Sequence, residues 1–219
     1  MKILAYSFVA ACCLAPAAHA ATVLADFDGT QDGFLSANMG TDSIGSGVCA
    51  DFTGASSTAL CGNNLRDVAP TPDTLTFASV DFDTALRISF DLAATATGGG
   101  DLDNDPTGTN QDFIRVSAII GSSPTILAEW RGIDGTATMD LFLGSATGPA
   151  LVDSSFDSYS TLSTVTGTGD LEFAFRTTGS NEILGIDNIA LHPVPLPPGL
   201  ALIVAALGAL GLAGRRRRA

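Results

Sequence analysis

Histidine is almost missing from this 219-residue chain: His19 and His192 are the only two, and none lies between them. That removes Ser-His-Asp and Cys-His nucleophilic catalysis and histidine-based zinc sites from the body of the protein. Glutamate is scarce, with Glu129, Glu172 and Glu182 alone. Trp130 is the one tryptophan, and Tyr6 and Tyr159 are the only tyrosines. A stacking platform for sugar rings therefore has few candidates, and Trp130 and Tyr159 read as core or rim residues. Basic residues are equally thin. Lys2 and Arg215 to Arg218 take five of the ten, which leaves five against all 23 acids between Asp26 and Asp187, a balance of −18. Such a surface excludes nucleic acid and disfavours anionic lipid. It suits a soluble domain that meets cations. No glycine-rich phosphate loop opens a helix, and no long stretch has helical periodicity.

The apolar residues that raise the mean hydropathy to +0.33 sit largely at the two ends. Lys2, the apolar run Ile3 to Leu14 and Ala18-His19-Ala20 have the order of an export leader with an A-x-A cleavage site, residues 1–20. Val9-Ala10-Ala11-Cys12 is a competing lipobox-like segment, too close to the start to leave a normal apolar region before it. At the other end, residues 193–219, Val194-Pro195-Leu196-Pro197 precedes an apolar stretch and then Arg215-Arg216-Arg217-Arg218. At a rise of ~1.5 Å per residue, Leu196 to Ala213 is just long enough for a thin hydrocarbon core. The arginines place that end in the cytoplasm and the body outside, the orientation the leader also demands.

A proline-containing tetrapeptide, a short span and a terminal arginine cluster resemble the PEP-CTERM group of sorting signals. VPLP matches the variant called VPLPA-CTERM, with Pro198 where that variant usually has alanine. The resemblance implies processing by an exosortase, a membrane protease of some Gram-negative bacteria. The protein would sit transiently in the inner membrane through residues 196–213, then be released and associated with surface polysaccharide. It covers residues 194–219 only.

Between the ends, residues 21–192 carry short runs of period-2 alternation separated by turn-rich segments. Leu86, Ile88, Phe90 and Leu92 share one face, as do Ile114, Val116 and Ala118, and Leu171, Phe173 and Phe175. Further strands are expected over 22–27, 75–82, 126–130, 138–143, 161–165 and 183–191. About nine half-buried strands predict an all-β, antiparallel sandwich of jelly-roll type. The opening Asp26-Phe27-Asp28-Gly29 and closing Gly185-Ile186-Asp187-Asn188-Ile189 resemble the ends of jelly-roll carbohydrate-binding modules. That resemblance implies neighbouring first and last strands, with Asp26, Asp28 and Asp187 around a structural calcium. Cys49 and Cys61 flank a polar loop that cannot order itself by apolar burial. An exported chain favours a disulfide between them, closing a loop worth roughly 3 kcal/mol.

Asp101, Asp103 and Asp105 alternate in a turn-rich loop, and Asp112 stands twelfth, where an EF-hand loop carries its bidentate acid. These four are the expected calcium ligands; a solvated acidic turn is the competing reading, which Gly98-Gly99-Gly100 supports as a mobile lead-in. Glu129 and Asp134 are the only pair a glycosidase reading would choose, and their five-residue spacing separates them across a strand. The expected protein is a secreted surface or matrix component with a non-catalytic, calcium-stabilised sandwich. The alternatives are a carbohydrate-binding module and, further off, a glycan-active enzyme. Intact mass of the protein from its native host tests the processing: the chain is expected to start at Ala21 and to lack Arg215 to Arg218. A retained arginine tail would instead leave a single-pass anchor.

Overall fold

The structure, a computed structural model, describes residues 22–25, 27, 36–38, 52, 59–63, 65, 72–83, 85–105 and 111–194. Cys49, Asp26, Asp28, Pro195, Leu196, Pro197 and Arg215 to Arg218 lie outside the described residues, as does the expected span. Among the described residues no helix is long and apolar enough to cross a membrane.

Among the described residues thirteen strands form: β1 (Thr22–Ala25), β2 (Ser36–Asn38), β3 (Leu60–Asn63), β4 (Asp73–Asp81), β5 (Leu86–Ala96), β6 (Phe113–Ile120), β7 (Ser123–Gly132), β8 (Met139–Gly144), β9 (Ala146–Thr147), β10 (Leu151–Val152), β11 (Asp157–Leu162), β12 (Thr168–Arg176) and β13 (Glu182–Pro193). They make two sheets. Sheet A runs β1-β13-β5-β11-β9, with β3 also on β13; sheet B runs β10-β8-β7-β6-β12-β4-β2. The pairings are antiparallel, as alternation with one solvated face requires. The expected all-β, jelly-roll-like sandwich is the fold. First and last strands are neighbours, Thr22 opposite Leu191.

Each alternating run places its apolar set between the sheets. Ile88, Phe90 and Leu92 of β5 meet Ile114, Val116, Trp130, Leu171 and Phe173 of sheet B in one core. Phe90 stands edge-on to Trp130 at 5.8 Å and to Phe173 at 5.3 Å, and Trp130 to Tyr159 at 5.5 Å. Such contacts add roughly 0.5–1.5 kcal/mol each beyond burial. Trp130 and Tyr159 are therefore core residues, as the sequence suggests. β11 starts four residues before its expected position, because Tyr159 and Thr161 are the residues it buries.

The stretch around Cys61 corrects the sequence reading. Phe52, Ala59, Cys61, Ala93 and Ile183 form a second buried cluster with Phe156 against it. Phe52 and Phe156 meet edge-on at 5.4 Å. Ala93 and Ile183 alternate with core residues Leu92, Ala94 and Leu184, so this cluster covers the outer face of sheet A. Apolar burial does order these residues, through two aromatic rings set among polar neighbours. Cys61 is disulfide-bonded.

The strand pairings and both cores described lie within the unit Ala20–Val194, which carries what an independent body needs to fold. Its last anchor is the Val194 N–H, which donates to the Ala85 carbonyl at 2.8 Å. Phe90→Ala in this body should cost about 3–5 kcal/mol in urea unfolding, since it leaves Trp130 and Phe173 facing a cavity.

Candidate functional site

Two places carry the chemistry. The first is the end of the sandwich where the β5–β6 connection meets the β12–β13 turn. Gly98 and Gly99 take positive φ (64° and 84°), which lets the chain reverse directly after β5. The loop is then pinned. Leu102 is fully buried in the main core, and its N–H donates to Thr136 O at 2.8 Å. Gly132 has no room for a side chain: a Cβ there would stand 2.6 Å from the Leu102 carbonyl carbon, so glycine lets loop and β7 lie in contact. The Gly98–Gly100 lead-in is thus a tight turn into a segment anchored at Leu102.

Asn104 bridges Gln111 antiparallel, so the neighbouring pair, Asp103 and Asp112, lie side by side. The Asp112 N–H donates to Asp103 O at 2.9 Å, and Asp112 Oδ2 accepts from the Asp103 N–H at 2.5 Å. Glu182, the first residue of β13, completes the group: carboxylate oxygens of Asp103, Asp112 and Glu182 lie within 4.8 Å of one another. Asp112 and Glu182 are buried. The Thr178 N–H donates to both Asp112 Oδ1 and Glu182 Oε2, each at 2.8 Å, and the Gly179 N–H donates to Glu182 Oε2 as well. Thr178 Oγ1 donates to Asp103 Oδ2 at 3.4 Å.

Burial pushes the Asp112 carboxyl up to about 7, with Glu182 adding to the rise and the N–H groups of Asp103 and Thr178 opposing it. Burial also raises Glu182; the Gly179 and Thr178 N–H groups oppose this, and the charges of Asp103 and Asp101 add to the rise. The charges felt most by these two carboxyls are thus other acids. A hard cation with oxygen ligands fits such a set; a soft or nitrogen-seeking metal does not.

Two of the four expected ligands, Asp103 and Asp112, come together. Asp101 instead accepts the Gly135 N–H at 2.9 Å, and Asp105 lies past the Asn104–Gln111 bridge. The EF-hand-like spacing does not describe this loop, because a hairpin sets Asp103 beside Asp112. Glu182 was missed: it is 70 residues further on in the sequence, inside an apolar strand pattern. Asp187 is buried away from this cluster, where its Oδ1 accepts the Asn188 N–H at 2.8 Å. Asn188 (φ 50°) forms a bulge of β13, and its amide donates to Asp91 Oδ2 at 2.8 Å.

The second place is the outer face of sheet B. With Ala128 and Trp130 turned inward, Glu129 and Arg131 face out beside Phe113 and Arg115. Glu129 is fully buried, and its two oxygens accept Nε–H bonds from Arg115 at 2.5 Å and Arg131 at 2.6 Å. The Arg115 guanidinium lies 4.5 Å over Phe113, and that of Arg131 lies 3.4 Å over Phe142. Glu129 is thus a structural anion clamped by two cations, which occupies the oxygens a catalytic acid would aim at substrate. Asp134 is spent elsewhere, in the turn after β7, accepting the Asn104 N–H at 2.6 Å.

No family model matches the chain, and no curated protein matches it. Solved structures do. The cleaved adhesin domain K1 of Lys-gingipain from Porphyromonas gingivalis is similar at 12% identity and a TM-score of 0.50, over 80% of this chain and 99% of that one. The CBM22-1 xylan-binding domain from Paenibacillus barcinonensis is similar at 10% identity and a TM-score of 0.46, over 83% of this chain and 100% of that one. A family 29 carbohydrate-binding module is similar at 9% identity and a TM-score of 0.44, over 80% and 91%. At such identities the likeness is one of fold.

The raised Asp112 pKa fixes a sign. Its folded value of about 7 lies above the ordinary 3.8, so the folded state holds the proton more tightly than the unfolded chain. This group's contribution is full below about pH 4 and is lost as pH rises towards 7. In metal chelator, the wild-type body should lose melting temperature across that window, and Asp112→Asn should flatten the loss. An unchanged pH profile in the variant would contradict this.

Proposed function

We propose that this chain is an exported, exosortase-sorted surface protein whose sandwich is a non-catalytic, calcium-stabilised binding module for polysaccharide. The observation that carries the reading is the meeting of Asp103, Asp112 and Glu182 from two distant segments. Three carboxylates at such range repel one another unless protonated or bridged by a cation. Calcium takes six to eight oxygens, and an extracellular site needs only a Kd of about 10⁻⁴–10⁻³ M. Asp103, Asp112 and Glu182 would hold the ion, with water completing its shell, and the ion would tie the β5–β6 loop to β13. Its role is positional: it fixes an end of the sandwich and performs no chemistry on a ligand.

Polysaccharide is read from the outer face of sheet B. Arg115 and Arg131 each spend Nε–H on Glu129, Arg131 Nη1 donates to the Gln111 amide oxygen at 3.0 Å, and the Nη–H groups that remain are donors for sugar oxygens. Phe142 adds a half-exposed ring beside them. The Glu129 clamp argues for binding over turnover. Similarity to an adhesin domain, a xylan-binding domain and a family 29 carbohydrate-binding module agrees with the proposal without selecting a ligand.

Millimolar calcium should raise the melting temperature well beyond sodium at equal ionic strength, by an amount equivalent to about 2.7 kcal/mol at a hundredfold excess over Kd. Glu182→Gln should remove most of that gain. On a glycan array, binding without turnover that is weakened by Arg131→Ala supports the polysaccharide reading. Equal stabilisation by sodium, or turnover of a bound glycan, would count against calcium and against the non-catalytic role respectively.

A further inference from the structure

Among the described residues, part of the β8 edge of sheet B is uncovered. β10 pairs with β8 only at Met139 and Asp140. Past them Leu141, Phe142 and Leu143 are 37%, 48% and 41% exposed, three consecutive large apolar residues. Their far side has no strand partner among the described residues. Ile126 and Leu151 extend the patch, so among the described residues five of the seven exposed large hydrophobic residues gather along this edge. An edge presents a row of unpaired N–H and C=O groups, and what satisfies such a row is another extended chain. A bulge opposite Glu129 and Trp130 bends β8. Lysine, proline and inward charge, the other devices that keep edges single, are absent from Leu141–Leu143.

We propose that this edge pairs with the same edge of a second copy, β8 against β8, antiparallel about Phe142. A two-fold contact must be self-complementary, and this segment is. Centred on Phe142, the pairing sets Leu141 opposite the partner's Leu143, while Asp140, whose far side is taken by Leu151 of β10, stays outside it. In a chain with 23 acids, no acid then faces another across the contact. The occupant has to be extended, apolar and uncharged at three successive positions, and the identical segment meets all three conditions. The contact is short compared with a standard interface of roughly 800 Å² per partner, so the dimer is a weak one that forms where the protein is concentrated.

Sedimentation velocity of residues 21–194 over about 1–200 µM, in chelator so that the acidic cluster plays no part, reads the outcome directly. The expected result is a rise from one to two copies with concentration. Leu143→Lys, at an exposed position, should weaken association by about tenfold or more with an unchanged melting temperature. Val23→Lys, on the exposed β1 edge of the other sheet, should leave it intact. The register has its own test. Residues directly opposite one another have Cα atoms about 4.5–5.5 Å apart, within disulfide reach. Phe142→Cys should therefore cross-link to itself under mild oxidation. A monomer throughout the range would overturn the proposal, as would a dimer that Val23→Lys dissolves and Leu143→Lys does not.

Discussion

Phe90 reaches from β5 to stand edge-on against Trp130 of β7 and Phe173 of β12, and Trp130 is braced in turn by Tyr159 of β11. These contacts join the two sheets, and they set the parity of the strands involved. Side chains alternate across a strand, so once Trp130 points inward Glu129 and Arg131 must point out. Phe173 inward sends Glu172 and Ala174 out, and Ile114 inward does the same for Phe113 and Arg115. The Arg115–Glu129–Arg131 clamp is thus a consequence of where the aromatic core sits. A slip of one residue in β7 would turn Glu129 and Arg131 into the core and expose the tryptophan. The buried clamp adds its own constraint, because removing either arginine would leave a carboxylate short of a partner in a desolvated place.

The acidic end follows a different logic. Apolar burial cannot hold Asp103, Asp112 and Glu182 together, so backbone N–H groups of Asp103, Thr178 and Gly179 do it. Those donors favour the ionised carboxylates, while burial and neighbouring acids favour the protonated ones. For Asp112 burial wins. The group is poised so that either a proton or a cation satisfies it near neutral pH. Leu102, buried on the same short loop, keeps the carboxylates from relaxing apart.

How much of this is legible in the sequence depends on how local each cause is. Alternation reports burial residue by residue, so β5, β6 and β12 read directly, and so does the sandwich they imply. The neighbouring of β1 and β13 was readable from a resemblance, since pairing across the whole chain leaves no local trace. The Cys61 region read as polar because its order comes from Phe52 and Phe156, about a hundred residues apart in sequence and each isolated among polar neighbours. Glu182 escaped for the same reason. Its spacing from Asp112 follows from topology, and a lone acid at the head of Ile183-Leu184-Gly185-Ile186 looks like an ordinary strand boundary. Asp103 and Asp112 were found through a loop pattern that the structure does not use. Acid density was the true signal, and the pairing that unites them is the Asn104–Gln111 bridge.

Charge and the open β8 edge act over different ranges, which is why they coexist. A net charge of −13 makes copies repel, but that repulsion is spread over the surface and is screened within about 8 Å at physiological ionic strength. Apolar contact along Leu141–Leu143 is local and unscreened. Salt should therefore favour self-association. A cation bound among Asp103, Asp112 and Glu182 would do the same from a distance, by lowering the charge each copy carries. Met139 opposite Gly132 links the two places physically: Gly132 touches Leu102 of the acidic loop and is also where β8 begins its pairing with β7. One backbone contact that tolerates only glycine thus lies both against the acidic loop and at the start of the β7–β8 pairing.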